Sequence, residues 1–497
     1  MNLNLLIPRI KPKLVDRRLN GTRRLIPTTG NKLDENSLLF VYKRLNGEYS
    51  ISPHDINRKP YALVCDTAYA EEVRDIPLII TAEPRAAYAH ACYLYNEIDD
   101  NVMKLVAVTG TNGKTTTAEL LASIFRYNGI PYGEIGTGKI KIGDSLLSDT
   151  DYSMTTPDPE LLYSSLGKMQ RAACKYVVME ATSHAMTLGK LAPLTFERGI
   201  FTNLSHDHLD FHGNTEEYYK AKLSLFDRCR GGIFNVDDEF AERAYNDAPH
   251  IKTSVGIISK ADAYATDIST DGSLGSIFNY RERGLITRVE LRLPGVFNIY
   301  NALLAMRCAI ELGLTPKEAK DGIAALDKVD GRMEKVHTDP TVIIDFAHTP
   351  HAMENALKSL KRRKSSGQKL ITVFGCGGER DKEKRPIMAR IAEIHSDFVV
   401  LTSDNSRSEP TEEILWETER GFYNSNSFTV IPDRCRAIEY ALGMAAKNDI
   451  VAILGKGHER YIIDSEGKHP FNEREIISSF YTRVGGDSNE NTTLHSD

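Results

Sequence analysis

The sequence predicts an α/β protein built on parallel sheets, and three observations lead there. From Met103 onward, short apolar, β-branched runs alternate with stretches of helical spacing, the pattern of strands covered on both faces. One of these runs, residues 105–108, breaks at the turn Gly110-Thr111-Asn112-Gly113-Lys114, and Thr115 onward resumes at helical spacing. A second set of short apolar strands, again separated by helical stretches, begins near Glu334.

Length and composition bound the reading. At 497 residues the chain should divide into about three domains of roughly 150 residues each. A hydrophobic content of 41% and a charged content of 26% belong to an ordinary globular protein. The net charge of −6 gives no electrostatic reason to expect nucleic acid or an anionic membrane as partner. Seven cysteines (Cys65, Cys92, Cys174, Cys229, Cys308, Cys376, Cys435) form no Cys-x-x-Cys pair, which argues against a disulfide framework or a zinc site. No apolar run approaches the ~18 residues of a membrane span. Residues 1–10 are too short, and too soon interrupted by Pro8, for a signal peptide. The expectation is a cytoplasmic protein without membrane insertion.

In order along the chain, residues 38–42, 61–65 and 77–80 read as strands and 84–96 as a helix. A small α/β domain, 1–100, is therefore expected, with Asp99-Asp100-Asn101 as its linker. A central domain, 101–332, has strands at 105–108, 175–180, 199–203 and 232–235, and its ligand-bearing residues should cluster at their carboxyl ends. Residues 257–293, with alternating polarity and several glycines, read as an excursion of β-hairpins, and 298–312 as a helix. A third domain, 333–484, has strands at 341–345, 370–374, 398–401 and 450–454 and reads as a second doubly wound unit. Residues 485–497, polar and led by glycine, read as a disordered tail.

Strand, glycine turn, then Lys-Thr opening a helix is the recipe for a phosphate cradle. Backbone N–H groups of Gly110, Thr111, Asn112, Gly113 and Thr116 and the positive helix end face an anion, Lys114 reaches the outer phosphates, and the Thr115 hydroxyl ligates Mg²⁺. Glu180 ends an apolar strand in the same sheet, placed to hold that metal. The run Thr202-Asn203-Leu204-Ser205-His206-Asp207-His208-Leu209-Asp210-Phe211-His212-Gly213 is dense in histidine and aspartate. Its His-x-His is open to zinc or to a plain polar loop, though no third soft ligand lies at a familiar spacing. Residues 216–223 read as a helix.

The loop Gly-Thr-Asn-Gly-Lys-Thr and the motifs from Val106 to His458 resemble the Mur ligases, most closely their tripeptide-forming MurE type. The resemblance implies a three-domain Mur ligase architecture: a small N-terminal α/β domain for the acceptor, a central P-loop ATPase-like domain and a C-terminal Rossmann-like domain for the amino acid. It implies ATP and Mg²⁺ as cofactors, an acyl-phosphate intermediate, and a monomer that acts on small molecules, a UDP-linked muropeptide and a diamino acid. On the same basis Glu180 and His208 hold Mg²⁺ with Thr115, and Lys222 carries a CO₂-derived carbamate. Asn298 and Asn301 fall at adenine contacts, Arg332 in Gly-Arg-Met-Glu approaches the phosphates, and Asp345 and His348 lie where the third domain closes over the nucleotide.

For the acceptor, the resemblance points to Thr155, Thr156, Thr182 and Lys190. Met154 stands where the family has asparagine, Thr182 replaces serine, Lys190 replaces arginine, and Ala185 replaces glycine. Thr28-Thr29-Gly30-Asn31-Lys32 occupies the place of the family's Asp-Ser-Arg uridine signature. For the amino acid, Asp404-Asn405-Ser406-Arg407 resembles the Asp-Asn-Pro-Arg motif of ligases that add meso-diaminopimelate, and Arg380, Gly455 and Glu459 match the rest of that pocket. A guanidinium at Arg407 pairs bidentately with a distal carboxylate, which L-lysine lacks. The implied reaction is ATP-dependent addition of meso-diaminopimelate to UDP-N-acetylmuramoyl-L-alanyl-D-glutamate in peptidoglycan precursor synthesis. The alternatives are a different carboxylate acceptor, or L-lysine as the amino acid.

Overall fold

The structure is a computed structural model that describes residues 1–490 apart from 31, 45, 57, 100, 148–153, 250 and 271–274. Asn31 of the altered acceptor motif and Asp100 of the linker lie outside the described residues. So does 491–497 of the expected tail, whereas the last helix, Glu473–Glu490, runs through 485–490.

The first unit is a five-stranded sheet in the order Leu14–Val15, Leu78–Ile80, Ala62–Cys65, Ser37–Phe40 and Ile26–Thr28, parallel except for the first edge. Helices Leu3–Ile10 and Pro84–Tyr95 pack together. The opening run is thus a structural helix that buries Leu3 and Leu6 in the core with Leu38, Phe40 and Val64. Its Asn2 cap accepts the Leu5 N–H at 3.2 Å, and Pro8 is tolerated in its last turn.

The central sheet has eleven strands. Seven are parallel, in the order Ala263–Ser269, Ile251–Gly256, Gly231–Asn235, Arg198–Phe201, Lys104–Thr109, Tyr176–Glu180 and Tyr132–Gly136. The strand Lys104–Thr109 explains why such runs are apolar throughout. Leu105 and Ala107 enter one core while Val106 and Val108 enter the other. The described residues of 257–293 do form antiparallel strand pairs, but these extend the same sheet through Ser276–Glu282 and Leu285–Leu291. A second antiparallel extension, Lys139–Ile142 and Ser145–Leu146, lengthens the other edge.

Because Tyr176–Glu180 and Arg198–Phe201 flank Lys104–Thr109 on opposite sides, the carboxyl ends of all three meet at a topological switch point. Helix Lys114–Tyr127 leaves that point and is pinned by helix Pro316–Ala324, where Ser123 Oγ donates to the Gly322 carbonyl at 2.8 Å.

The third sheet orders Glu334–His337, Thr341–Asp345, Ile450–Leu454, Leu370–Phe374, Phe398–Leu401 and Phe428–Val430. All but the antiparallel Glu334–His337 run parallel. Gly331 joins it to the central unit, and a Cβ there would strike the backbone of Gly457 and His458. Among the described residues no helix is long and apolar enough to cross a membrane.

Alanine ordinarily stabilises a helix interior over glycine by about 1 kcal/mol. A methyl on Gly322 would instead run into the Ile124 backbone. Gly322→Ala should therefore destabilise the protein, by about 1–2 kcal/mol net of overpacking, in a urea titration; an unchanged or raised midpoint would show that the two helices do not meet this closely.

Candidate active site

The turn after Lys104–Thr109 requires its glycines. Gly110 has φ +144° and Gly113 φ +86°. A Cβ on Gly110 would collide with Thr202 Oγ1, and one on Gly113 would sit 2.5 Å from Asn301 Oδ1. The turn is moored to the end of the neighbouring strand. Thr202 Oγ1 donates to Asn112 O at 2.6 Å, Asn203 Nδ2 donates to the same oxygen at 3.1 Å, and Asn112 N–H donates to Asn203 Oδ1 at 3.0 Å. Thr111 N–H reaches Asn203 O at 2.9 Å, and Thr111 Oγ1 accepts the Ser205 N–H at 3.0 Å.

Two lysines converge on this turn. Lys114 Nζ donates to the carbonyls of Gly110 (2.9 Å) and Thr111 (2.8 Å), and Lys222 Nζ donates to the same Gly110 oxygen at 2.8 Å. Lys222 is buried on helix Thr215–Leu223, with its ammonium 4.5 Å from the centre of the Tyr218 ring. Burial, then the neighbouring Lys114 charge, holds its amine well below the ordinary lysine value. Burial lowers Lys114 as well.

On the other side of the turn, Thr115 Oγ1 donates to Glu180 Oε1 and Oε2 at 3.1 and 3.0 Å, Thr137 N–H donates to Oε1 at 3.1 Å, and Arg332 Nη2 donates to Thr115 Oγ1 at 3.1 Å. Behind Thr137, Lys139 and Lys141 pair with Glu119 and the buried Glu134. His208, at φ +54°, heads the short helix Leu209–His212 with its ring 4.9 Å from His184. Burial takes the His208 imidazole down to about 3, so it is neutral and available as a ligand. Burial pushes the Asp207 carboxyl, 3.4 Å from it, up, yet it is brought down to about 2, an acidity at which the His208 ring is protonated and, with His348, Lys384 and Lys114, favours the carboxylate. His206 Nε2 lies 2.7 Å from Asp381 of the third unit. Among the described residues no three His, Cys, Asp or Glu side chains gather as a metal group.

A cavity of about 550 Å³ opens beside the turn, lined by Asn112, Gly113, Thr116, Asn301, Arg332 and Asp345. Asn298 and Asn301, both buried, form its wall: Asn298 Nδ2 donates to Pro294 O at 2.7 Å and Asn301 Nδ2 to Asn298 Oδ1 at 2.9 Å. Asp345 accepts the N–H groups of Met333 (2.6 Å) and Ala347 (2.8 Å). His348 Nδ1 lies 2.8 Å from Phe346 O.

The residues expected to meet the acceptor adjoin Glu180. Thr155 and Thr137 hydroxyls are 3.1 Å apart, Thr156 Oγ1 donates to Glu180 O at 2.9 Å, and the Thr156 and Thr182 hydroxyls are 3.2 Å apart. Thr182 also caps helix Ser183–Thr187 by accepting the Ala185 N–H. Lys190 pairs with Asp158 at 2.8 Å.

A separate cluster of polar and charged side chains gathers at the strand ends of the third sheet. Arg407, at φ +56°, donates from Nη1 to Gly378 O (2.8 Å) and Asn405 O (3.2 Å). Ser406 is buried ahead of it, and a Cβ on Gly455 would crowd Asp404 Oδ2 at 2.7 Å. Asn405 Nδ2 donates to Glu459 Oε2 at 2.9 Å. Burial pushes the Asp404 carboxyl up, but Lys456 and Arg434 bring it below the ordinary range, so it is ionised. Arg380 is exposed at the rim and donates to Glu379 O.

Sequence reasoning missed several contributors. Thr202 and Asn203 moor the turn, and their only signal is their place at a strand end. Thr137, in Gly136-Thr137-Gly138, gives a backbone donor that no side-chain pattern announces. Lys456, fully buried between Asn405 and Glu459, was signalled only by its place between two glycines.

Comparisons with known proteins agree with this layout. A profile described as the Mur ligase middle domain matches residues 108–309, and one described as the Mur ligase, glutamate ligase domain matches 331–457. UDP-N-acetylmuramoyl-L-alanyl-D-glutamate–2,6-diaminopimelate ligase 1 of Clostridium acetobutylicum is 36% identical over 97% of this chain and 99% of its own. The Fusobacterium nucleatum ligase of the same name is 34% identical over 94% and 95%. A solved structure of a UDP-N-acetylmuramoyl-L-alanyl-D-glutamate–2,6-diaminopimelate ligase superposes with a TM-score of 0.67 at 27% identity, covering 98% of this chain and 99% of that one.

Gly113→Ala should strain the turn and displace Asn301 together. Titration calorimetry with ATP and Mg²⁺ should show affinity weakened at least roughly tenfold while the protein stays folded; unchanged affinity would mean that the turn is not the nucleotide site.

Proposed function

The chain belongs to the Mur ligase family, and we propose that it adds meso-diaminopimelate to UDP-N-acetylmuramoyl-L-alanyl-D-glutamate with ATP and Mg²⁺. The γ-phosphoryl group passes from ATP to the D-glutamyl carboxylate, releasing ADP. The amine of the incoming amino acid then attacks the acyl phosphate, expels phosphate and forms the amide. Curated relatives of that activity, matched over nearly the whole chain, support the reaction. The observation that carries the choice of amino acid is the Arg407 guanidinium, held by two carbonyls beside Asn405 and Glu459.

In this reading the small unit takes the UDP-linked acceptor, the central unit ATP and the third unit the diamino acid. Gly110 to Thr116 cradle the phosphates, Lys114 offsets the charge of the transferring group, and Arg332 holds Thr115 in place. The cavity walled by Asn298 and Asn301 and edged by Asp345 takes the nucleoside. Thr155, Thr156, Thr182 and Lys190 bind the acceptor. Glu459 pairs with the distal ammonium and Arg407 with the distal carboxylate, with Asp404, Asn405, Ser406, Gly455 and Arg380 around them. A monomer in the cytoplasm fits the net charge of −6 and the cysteines, all seven of which are free.

The donor set suits Mg²⁺ on one condition. The Thr115 hydroxyl and Glu180 carboxylate are hard oxygens and His208 is a neutral imidazole, but an ammonium at Lys222 would repel the cation. A carbamate there removes the conflict. The ammonium first gives up one proton, and the neutral amine then adds CO₂ and loses a second, so that a cation beside Lys114 is exchanged for an anion. Mg²⁺, when bound, neutralises phosphate charge, and Thr115, Glu180, His208 and carbamylated Lys222 would hold it.

Lys222→Ala should be folded yet nearly inactive in an assay of ATP-dependent phosphate release, and partly restored by acetate; full activity without additive would refute the carbamate.

In the same assay, wild type should favour meso-diaminopimelate over L-lysine at least roughly a hundredfold in kcat/KM, because the half-buried Arg407 finds no carboxylate on lysine. Arg407→Ala should lose most of that preference and Arg407→Lys recover part of it. Equal use of the two amino acids by wild type would reject this choice of substrate.

A further inference from the structure

The third-unit pocket contains a buried cation that the reading above leaves without a task. Lys456 Nζ donates to Asn405 Oδ1 and to Glu459 Oε2, each at 2.9 Å, and lies 4.0 Å from Asp404 Oδ1. Asn405 Oδ1 also accepts the Ile463 N–H at 2.9 Å, while its Nδ2 donates to Glu459 Oε2. These bonds fix the amide in one orientation, since a flipped Asn405 would turn its NH₂ toward two donors. They also occupy Glu459 Oε2 twice, while Oε1 is approached by the Tyr461 hydroxyl at 3.5 Å.

The charges of the pocket can be counted. Asp404 and Glu459 are negative, and Lys456 and Arg407 are positive. Behind Asp404, Arg434 and Glu473 close on each other as a buried pair at 2.7 Å and cancel. At the rim, the adjacent Glu379 and Arg380 are exposed to solvent. These eight groups, of which Lys456, Arg434 and Glu473 are buried and Asp404, Glu459 and Arg407 half-buried, sum to zero.

We propose that Lys456 is a specificity-determining residue, setting the pocket's charge to zero so that it takes an amino acid whose distal end carries both an ammonium and a carboxylate. This rests on the ligase reading above. A neutral pocket matches the distal end of diaminopimelate, which is itself neutral. It disfavours the single positive charge of L-lysine and equally the single negative charge of 2-aminopimelate, which has the carboxylate without the ammonium. Arg407 and Glu459 meet the two groups one by one, and Lys456 sets the balance between them. At short range in a buried site such a balance is felt strongly by any charged end that enters.

The test compares kcat/KM for meso-diaminopimelate, L-lysine and 2-aminopimelate in wild type, Lys456→Met and Lys456→Arg, with a melting scan of each. In Lys456→Met the pocket becomes negative. Use of L-lysine relative to diaminopimelate should rise at least roughly tenfold and use of 2-aminopimelate should fall by a similar factor. Lys456→Arg, which keeps the charge, should hold both ratios within about threefold. Opposite movement of the two analogues is something loss of scaffold does not produce. A parallel fall for all three substrates, or unchanged ratios, would overturn the proposal. If Lys456→Met fails to fold, Lys456→Gln is read in its place. If neither folds, wild type decides: discrimination against both analogues supports the neutral pocket, and 2-aminopimelate used as well as diaminopimelate overturns it. A wild type indifferent between L-lysine and diaminopimelate would sink the substrate assignment itself, whereas a preference untouched at Lys456 sinks only this inference.

Discussion

The carbonyl of Gly110 is the point on which the glycine turn of the central unit depends. It accepts from both Lys114 and Lys222, and the residue that bears it has a φ open only to glycine and leaves no room for a Cβ. Two positive charges near one acceptor repel each other. The arrangement follows from where the two side chains start. Lys114 opens a helix directly after the turn, and Lys222 projects from a helix packed beneath it. The repulsion is a built-in bias toward any chemistry that removes one of the charges.

The third unit treats charge in the opposite way. Lys456 pairs with Glu459 and Arg434 with Glu473, while Arg407 rests on two backbone carbonyls. The two ends of the reaction thus differ in kind. In the proposed reading, one collects positive charge toward phosphates, while the other measures the distal end of an amino acid. Both sit at the carboxyl ends of parallel strands, the usual place for ligands in open α/β sheets.

What was legible in the sequence was what is local. Strand, glycine turn and helix at 104–127 are fixed by neighbours in the chain, so the turn and the place of Lys114 at the helix start could be read directly, as could the place of Glu180 at its strand end. The hairpins at 257–293 were legible as hairpins, but their membership of the central sheet depends on pairing with Ile251–Gly256, which no local pattern encodes. Helix Leu3–Ile10 was missed because Pro8 reads as a breaker, although the last turn of a short helix tolerates it. Lys222 carries the spacing of a solvated helical residue, and only the packing of Tyr218 and the glycine turn around it makes it buried. Lys456 looks like an ordinary lysine between two glycines, and its burial comes from strands far apart in sequence.

Gly331 and Gly457 meet backbone to backbone where the central and third units join, and Phe346 N–H donates to Gly331 O at 2.9 Å. With no side chain between them, the spacing of the two units at this junction is set by main chain alone. Any side chain at either glycine would therefore act as a wedge that forces the two units apart.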